Sequence, residues 1–262
     1  MAPPRTVLVT GAASGIGRAL AEHYAARAST LLLLDRAAPD DTAAALAGRA
    51  EIRTAGADVR DAAATAAAVA ELAAGQPIDR VLHCAGVIAP TSPLAAVDPA
   101  DVQRVVDINL VGSFNLAHAA LPHLRAGSHL ALVASLGGLI AGYRYVAYSS
   151  SKFGVVGLAE ALRMELAQDG ITVQVICPGE VTTPLIADEL ASGDQVQRAV
   201  KLMSGQPITP QRAATLIGKG VESGRFMIIP TLKARWLWRV SRVSPTPLRL
   251  ALTDRAIRQA GG

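Results

Sequence analysis

Short apolar runs alternate with longer alanine-rich stretches along almost the whole chain. The runs are Thr6–Thr10, Thr30–Leu34, Glu51–Thr54, Arg80–Cys84, His129–Ser135, Thr172–Cys177 and Phe226–Ile229. Several are apolar at every position rather than at every second one, the pattern of strands covered on both faces. Between them lie Ile16–Arg27, Asp40–Ala47, Asp61–Ala74, Pro99–Ala126, Tyr148–Asp169 and Thr209–Glu222. These stretches are long enough for crossover helices, and alanine is the best helix former. Repeated strand–helix alternation predicts an α/β fold: a parallel sheet of about seven strands with helices on both faces. No repeat or linker divides residues 1–230, which read as one domain. Residues 184–203 break the rhythm at a strand's carboxyl end and read as a small lid.

Composition narrows the class. Of 262 residues, 51% are hydrophobic and 18% charged, which excludes a disordered chain. Cys84 and Cys177 lie far apart with no metal-ligand spacing, so neither a disulfide framework nor a metal site is expected. No apolar run approaches the ~20 residues needed to cross a bilayer. The first five residues lead straight into the first strand without a signal-peptide pattern, so a cytoplasmic location is expected. The net charge of +4 is unevenly spread: residues 225–262 hold eight Lys and Arg against one acid, Asp254, whereas the remainder holds 17 against 20. The body is therefore no nucleic-acid binder on charge grounds, and the tail needs an account of its own.

The first run ends in Thr10-Gly11-Ala12-Ala13-Ser14-Gly15-Ile16-Gly17. Glycines let a turn between strand and helix close tightly and let a pyrophosphate approach, while the helix amino terminus offers free N–H groups and a favourable dipole. A dinucleotide cradle is expected here. Asp35, at the end of the second run, can accept hydrogen bonds from both adenosine ribose hydroxyls and would repel a 2′-phosphate, which favours NAD. Arg36 follows directly and leaves NADP open. Asp58-Val59, after the third run, reads either as a contact to the adenine edge or, for Asp58, as a helix cap near Asp61.

Tyr148 and Lys152 are four apart, on one face of a helix. A phenol titrating at about 10 is a poor base at neutral pH. A neighbouring ammonium stabilises the phenolate and brings proton transfer to or from a substrate oxygen within reach. Ser135 stands thirteen residues earlier at the end of a buried run, and Asn109 lies in the long helical stretch Pro99–Ala126.

With these residues assembled, the chain resembles the short-chain dehydrogenase/reductase family from about Thr6 to Ile229. The glycine turn, Asp58, Cys84-Ala85-Gly86, Asn109, Ser135, Tyr148/Lys152 and Pro178-Gly179-Glu180-Val181-Thr182-Thr183-Pro184 stand in the family's order. The resemblance implies a doubly wound Rossmann sheet and an NAD(P)-dependent oxidoreductase. It implies Tyr148 as general acid/base and Lys152 as holder of the nicotinamide ribose. Ser135 would hydrogen-bond the reacting oxygen, and Asn109 would order a water leading from Lys152. Val181 and Thr183 would position the carboxamide. It also implies a homodimer or homotetramer. One departure stands out: the family's Asn-Asn-Ala-Gly is here His83-Cys84-Ala85-Gly86. His83 then reads as a second titrating group or as a structural histidine, and both cysteines read as buried fillers.

Ile88, Leu136, Leu139, Tyr143, Tyr145, Val181 and Leu185 are candidate substrate contacts, mostly apolar, which favours a small lipophilic alcohol or ketone. Arg144 among them reads as solvated. In the tail, Leu232, Trp236, Val240 and Val243 share a helical face, while Arg235, Arg239 and Arg242 lie largely opposite with Trp238 near them. The tail is similar to those of family members that act on long-chain lipids, such as 3-ketosphinganine reductase-like proteins. Two readings stay open: a helix packed on its own subunit or across a dimer, and peripheral membrane contact. The expected reaction is oxidation of a secondary or allylic alcohol with NAD, or the reverse, NADPH-driven reduction of a keto-lipid being the alternative. A non-catalytic dinucleotide sensor would need the glycine turn but not Asn109, Ser135, Tyr148 and Lys152.

Overall fold

The computed structural model describes residues 4–89, 91–183 and 206–261. The expected lid at 184–203 therefore lies outside the described residues, as does Leu185. Seven strands form the sheet: β1 (Thr6–Thr10), β2 (Thr30–Asp35), β3 (Glu51–Gly56), β4 (Arg80–His83), β5 (His129–Val133), β6 (Thr172–Ile176) and β7 (Met227–Ile228). All pair in parallel, in the order β3-β2-β1-β4-β5-β6-β7. The chain winds outward from β1 to β3, then restarts beside β1 with β4. That reversal opens a crevice at the carboxyl ends of β1 and β4, where ligands bind in sheets of this kind.

The continuous apolar runs are explained by two cores. Leu8, Leu32, Leu34, Val81, Leu130 and Leu132 pack on one face with α3 (Ala62–Ala73), α5 (Gly112–Ala120) and α6 (Val146–Leu166). Val7, Val9, Leu31, Leu33, Leu82 and Ala131 pack on the other, against α1 (Gly15–Ala25) and α7 (Pro210–Glu222). Successive strand residues point to opposite faces, so both sets must be apolar. Each such leucine contributes roughly 1.5–3 kcal/mol.

The stretch expected as one helix from Pro99 to Ala126 is divided. It forms α4 (Pro99–Val106), a π-helical turn at Asp107–Val111, α5, and a final 3-10 turn at Leu121–His123. The Ser113 hydroxyl donates to the Asn109 carbonyl at 2.5 Å, a side-chain bond that competes with the backbone ladder where the π turn sits. Pro122 cannot continue the helix. A short helix, α2 (Asp40–Ala45), follows β2. The tail forms α8 (Leu232–Val243) and α9 (Thr246–Gly261). Trp238 is not grouped with exposed arginines as the helical wheel suggested; it packs with Leu237 against the core because Ala234, one turn away, is fully buried there.

Toward the amino end of the sheet a polar network fastens α7. The buried Arg80 guanidinium pairs with Glu222 at 2.9 Å, and the Tyr24 hydroxyl donates to the same carboxylate at 3.0 Å. The Gln174 amide donates to the Val221 and Arg225 carbonyls at 3.2 and 3.0 Å. Burial alone would raise the Glu222 carboxyl, but the Arg80 hydrogen bonds and charge outweigh it and hold the group below its ordinary value. Its stabilisation is thus present above the ordinary carboxylate range and fades as pH falls through the lowered value. Glu222→Gln should cost about 2–3 kcal/mol in denaturant unfolding at neutral pH. The parent and variant curves should converge in acid.

Candidate active site

Thr10 delivers the chain into the glycine turn. Gly11 has φ +66°, and a Cβ there would lie 2.8 Å from the Ala85 amide nitrogen. A Cβ on Gly17 would overlap the Gly11 carbonyl. The turn is therefore wedged between α1 and the chain leaving β4, with no room for side chains. Ser14 stands at the N-cap of α1 without a side-chain capping bond, and Ile16 packs into the core beneath. Such a helix start draws phosphate oxygens. The Asp35 carboxylate accepts the Ala13 amide at 2.9 Å and the Arg36 amide at 2.7 Å, which fixes it beside the turn. Arg36 itself is exposed.

Of the two readings of Asp58, capping falls to Asp61, whose carboxylate accepts the Ala64 amide at 2.9 Å. Asp58 instead pairs with Arg60 at 2.6 Å, and that hydrogen bond holds its carboxyl below the ordinary value. Val59 is buried against Gly112, and its carbonyl accepts the Asn115 amide. Across the turn, the Thr183 methyl lies 3.2 Å from where a Gly15 Cβ would be. The Pro178 carbonyl accepts the Leu136 amide at 2.8 Å. Gly179 leads from there to Val181, which is buried and bridges to Ile208. The segment from Pro178 to Thr183 thus lies against the same crevice.

At the exit of β4 the Thr10 hydroxyl accepts the Cys84 and Ala85 amides at 3.2 and 3.3 Å. It lies 2.7 Å from His83 Nδ1. With both lone pairs engaged, it donates to Nδ1, which assigns the ring proton to Nε2. Burial, aided by the Lys152 charge, pushes His83 down to about 3. His83 is a structural, neutral histidine. Burial pushes both thiols, Cys84 and Cys177, up to about 12, so neither is a nucleophile.

Tyr148 and Lys152 stand one turn apart on α6, with Nζ 5.8 Å from the phenol ring centre. Lys152 is buried, and Nζ donates to the Val133 carbonyl at 3.0 Å. Burial lowers its amine to about 8. It remains mostly an ammonium at neutral pH. Ser135 caps a short 3-10 turn, its oxygen accepting the Gly137 amide at 3.1 Å. The point where a Gly137 Cβ would stand is 3.5 Å from Ser135 Oγ and 3.6 Å from Tyr148 Cε1, so the two side chains flank one space. Asn109, fully buried in the π turn, accepts the Val87 amide at 2.8 Å. It donates to the Val87 carbonyl at 2.9 Å and to Ser151 at 3.0 Å. A Cβ on Gly86 would come within 3.1 Å of Asn109 Oδ1 and 3.2 Å of Lys152 Nζ. Asn109, Lys152 and the β4 exit therefore meet at one glycine.

Sequence reasoning missed Thr10, Ser151 and the Val133 carbonyl. A backbone acceptor leaves no trace in residue type, and serines beside a Tyr-x-x-x-Lys spacing look alike. Of the substrate candidates, Ile88 is half-buried and Tyr143 lies under the Arg144 guanidinium, 5.0 Å from its ring centre. Leu136 is buried in the hydrophobic core, with Leu139 packed against it, where its 3-10 turn folds back onto α6. A small cavity beside Tyr148 is lined by Ala89, Val97, Arg144, Tyr145 and Ala147. Arg144 is half-buried, with its guanidinium over the Tyr143 ring, rather than fully solvated. Its φ of +64° is left-handed, a costly conformation for a non-glycine residue.

The family model for short chain dehydrogenases matches residues 5–192. The chain belongs to the short-chain dehydrogenase family. Among this family's members, the 3-dehydrosphinganine reductase TSC10B of Arabidopsis thaliana is 35% identical over 233 residues, 86% of this chain and 69% of that protein. The oxidoreductase UcpA of Escherichia coli K12 is 38% identical over 188 residues, 69% of this chain and 71% of that protein. The crystal structure of a short chain dehydrogenase from Mycobacterium paratuberculosis bound to NAD superposes with a TM-score of 0.79 at 24% identity. It covers 88% of this chain and 98% of that one. In this short-chain dehydrogenase the glycine turn, Ser14 and Asp35 fit a dinucleotide, since the turn excludes side-chain volume where backbone must approach a pyrophosphate.

Lys152→Met separates chemistry from stability. Turnover should fall by about 10²-fold or more. The melting temperature should rise, because a buried ammonium is disfavoured relative to its unfolded state. That penalty is full below about 8 and disappears as pH rises toward the ordinary lysine value. The difference in melting temperature should accordingly narrow in alkali.

Proposed function

We propose that the protein interconverts a long-chain lipophilic ketone and its secondary alcohol using NAD(H). The observation that carries this reading is the convergence of Tyr148, Lys152, Asn109 and Ser135 beside the glycine turn. Bound nicotinamide would supply or accept the hydride. The chain's own residues hold the oxygen and move one proton. In reduction the Tyr148 hydroxyl protonates the substrate oxygen, and in oxidation it takes that proton back. The Lys152 ammonium stabilises the phenolate in either direction. Ser135 donates to the same oxygen and stabilises charge developing there. Asn109 holds α6 against the β4 exit, which keeps Lys152 in place.

Gly11, Ser14, Gly15 and Gly17 would hold the pyrophosphate, and Val181 and Thr183 the carboxamide. Asp35, tied to the Ala13 amide beside the turn, would accept ribose hydroxyls and repel a 2′-phosphate. The substrate class rests on the likeness to 3-dehydrosphinganine reductases. The exposed Arg36 favours a second reading, in which NADP(H) is used.

Two measurements test these assignments. Tyr148→Phe should abolish turnover of 3-oxo lipids, followed by the absorbance of reduced nicotinamide, while calorimetric NAD binding stays within about threefold of the parent; undiminished turnover would remove Tyr148 as the proton carrier. Across a series of ketones, kcat/KM should rise with chain length. Asp35→Ala should shift the ratio of kcat/KM for NAD over NADP toward NADP by about tenfold or more. An unchanged ratio would give the selection to Arg36.

A further inference from the structure

We propose that α8 and α9 form a docking surface for an anionic lipid bilayer. At 100° per residue, α8 divides into two apolar sides. Ala234, Leu237 and Trp238 face the body and pack on the core. On the other side Leu232, Trp236, Val240 and Val243 form a stripe, exposed to 78, 65, 37 and 80%. Arg239 and Arg242 border that stripe on one side and Lys233 on the other. In α9, Leu248 and Leu252 lie one turn apart, both more than half exposed, with Arg249 and Arg255 beside them. Among the described residues, half of the fourteen large apolar side chains that stand exposed belong to these two helices. Four exposed apolar side chains on one face of α8 mark an interaction surface rather than ordinary scatter.

Charge selects the occupant. Residues 232–261 carry seven Lys and Arg against one acid. A second copy would bring the same excess of positive charge to the contact and repel it. A nucleic acid would satisfy the arginines but not a Trp, Leu and Val stripe set between them. An interface of anionic headgroups over acyl chains satisfies both at once, with the aromatic ring at headgroup depth and the basic side chains reaching lipid phosphates. No described helix is long and apolar enough to cross a membrane, so the helices would lie in the interface plane.

The placement also matters for the active site. Arg235 donates to the Ile229 and Pro230 carbonyls at 3.2 and 3.4 Å, which ties the start of α8 to the exit of β7. In a parallel sheet that exit is on the same edge as the glycine turn and Ser135. The first turn of α8, with Leu232 exposed, therefore starts at the edge from which a lipid ketone would enter, a consequence that rests on the proposed function, whereas docking itself does not.

The test is flotation of the full-length protein with vesicles of phosphatidylcholine alone and of phosphatidylcholine with phosphatidylglycerol, without substrate. Binding to the anionic vesicles should exceed binding to the neutral ones by about tenfold or more. Trp236→Ser/Val240→Ser/Val243→Ser and, separately, Arg239→Gln/Arg242→Gln should each lower it by about tenfold, with unchanged circular dichroism. In a Trp238→Phe background, emission from Trp236 should shift to the blue and be quenched by brominated acyl chains. Failure to float, or retained flotation in both variants, overturns the proposal. So does a loss of particle mass by light scattering in the triple variant, which would make the stripe a contact between copies. Ketone reduction without vesicle binding would overturn docking alone, and vesicle binding without reduction would overturn the activity alone.

Discussion

A single buried ammonium organises this molecule. Lys152 sits inside the fold with its charge on the Val133 carbonyl, at the point where β5 ends. Removing such a group from water is costly, and the amine is correspondingly easier to deprotonate than a free lysine. The surrounding architecture keeps it there. β5 presents a carbonyl in place of water. The β4 exit passes without a Cβ at Gly86, so that backbone, amide and amine fit in one layer. The π turn brings Asn109 to that layer, and Asn109 binds both the β4 exit and Ser151 on α6. The phenol one turn from the amine gains a charge partner only because these pieces hold α6 in register.

The two edges of the sheet solve different problems. Toward the amino ends, Arg80 and Tyr24 share the Glu222 carboxylate, Gln174 donates to the Val221 carbonyl, and together they fix α7 and α1 to the strands. At the carboxyl ends the chain holds Arg144 in a left-handed conformation that glycine adopts freely and an arginine does not. Strain and a buried charge at one edge are tolerable because the two cores and the opposite network hold the sheet rigid.

Much of this was legible in the residues. Burial on both faces makes several strands apolar throughout, and their alternation with helical stretches located all seven within a residue or two, the exposed edge strand β3 included. The i, i+4 spacing of Tyr148 and Lys152 and the order of glycines pointed to the crevice. Other features had no such trace. The Val133 carbonyl contributes through backbone alone. Asn109 is in a π turn whose sequence reads as plain helix. Leu136 is a leucine buried one residue after Ser135, and its burial leaves no mark of its own in the sequence. For Trp236 and Trp238, two residues apart, the wheel gave the faces, but only packing shows which face turns inward.

The replacement of the family's Asn-Asn by His83-Cys84 shows which parts of the β4 exit are constrained. The side chain at 83 turns toward Thr10, not into the cleft, and needs only to accept that hydroxyl; a neutral imidazole does so through Nδ1. The hydroxyl in turn takes the two amides that follow, Cys84 and Ala85, which sets the backbone path regardless of the side chain at 84. The tighter position lies after it: a Cβ on Gly86 would press on the amine and on Asn109 together, and both would have to shift. The demand at this exit is for backbone direction and for missing volume. A histidine and a cysteine can occupy its first two positions without adding a titrating group or a nucleophile to the site, because burial keeps one neutral and the other protonated.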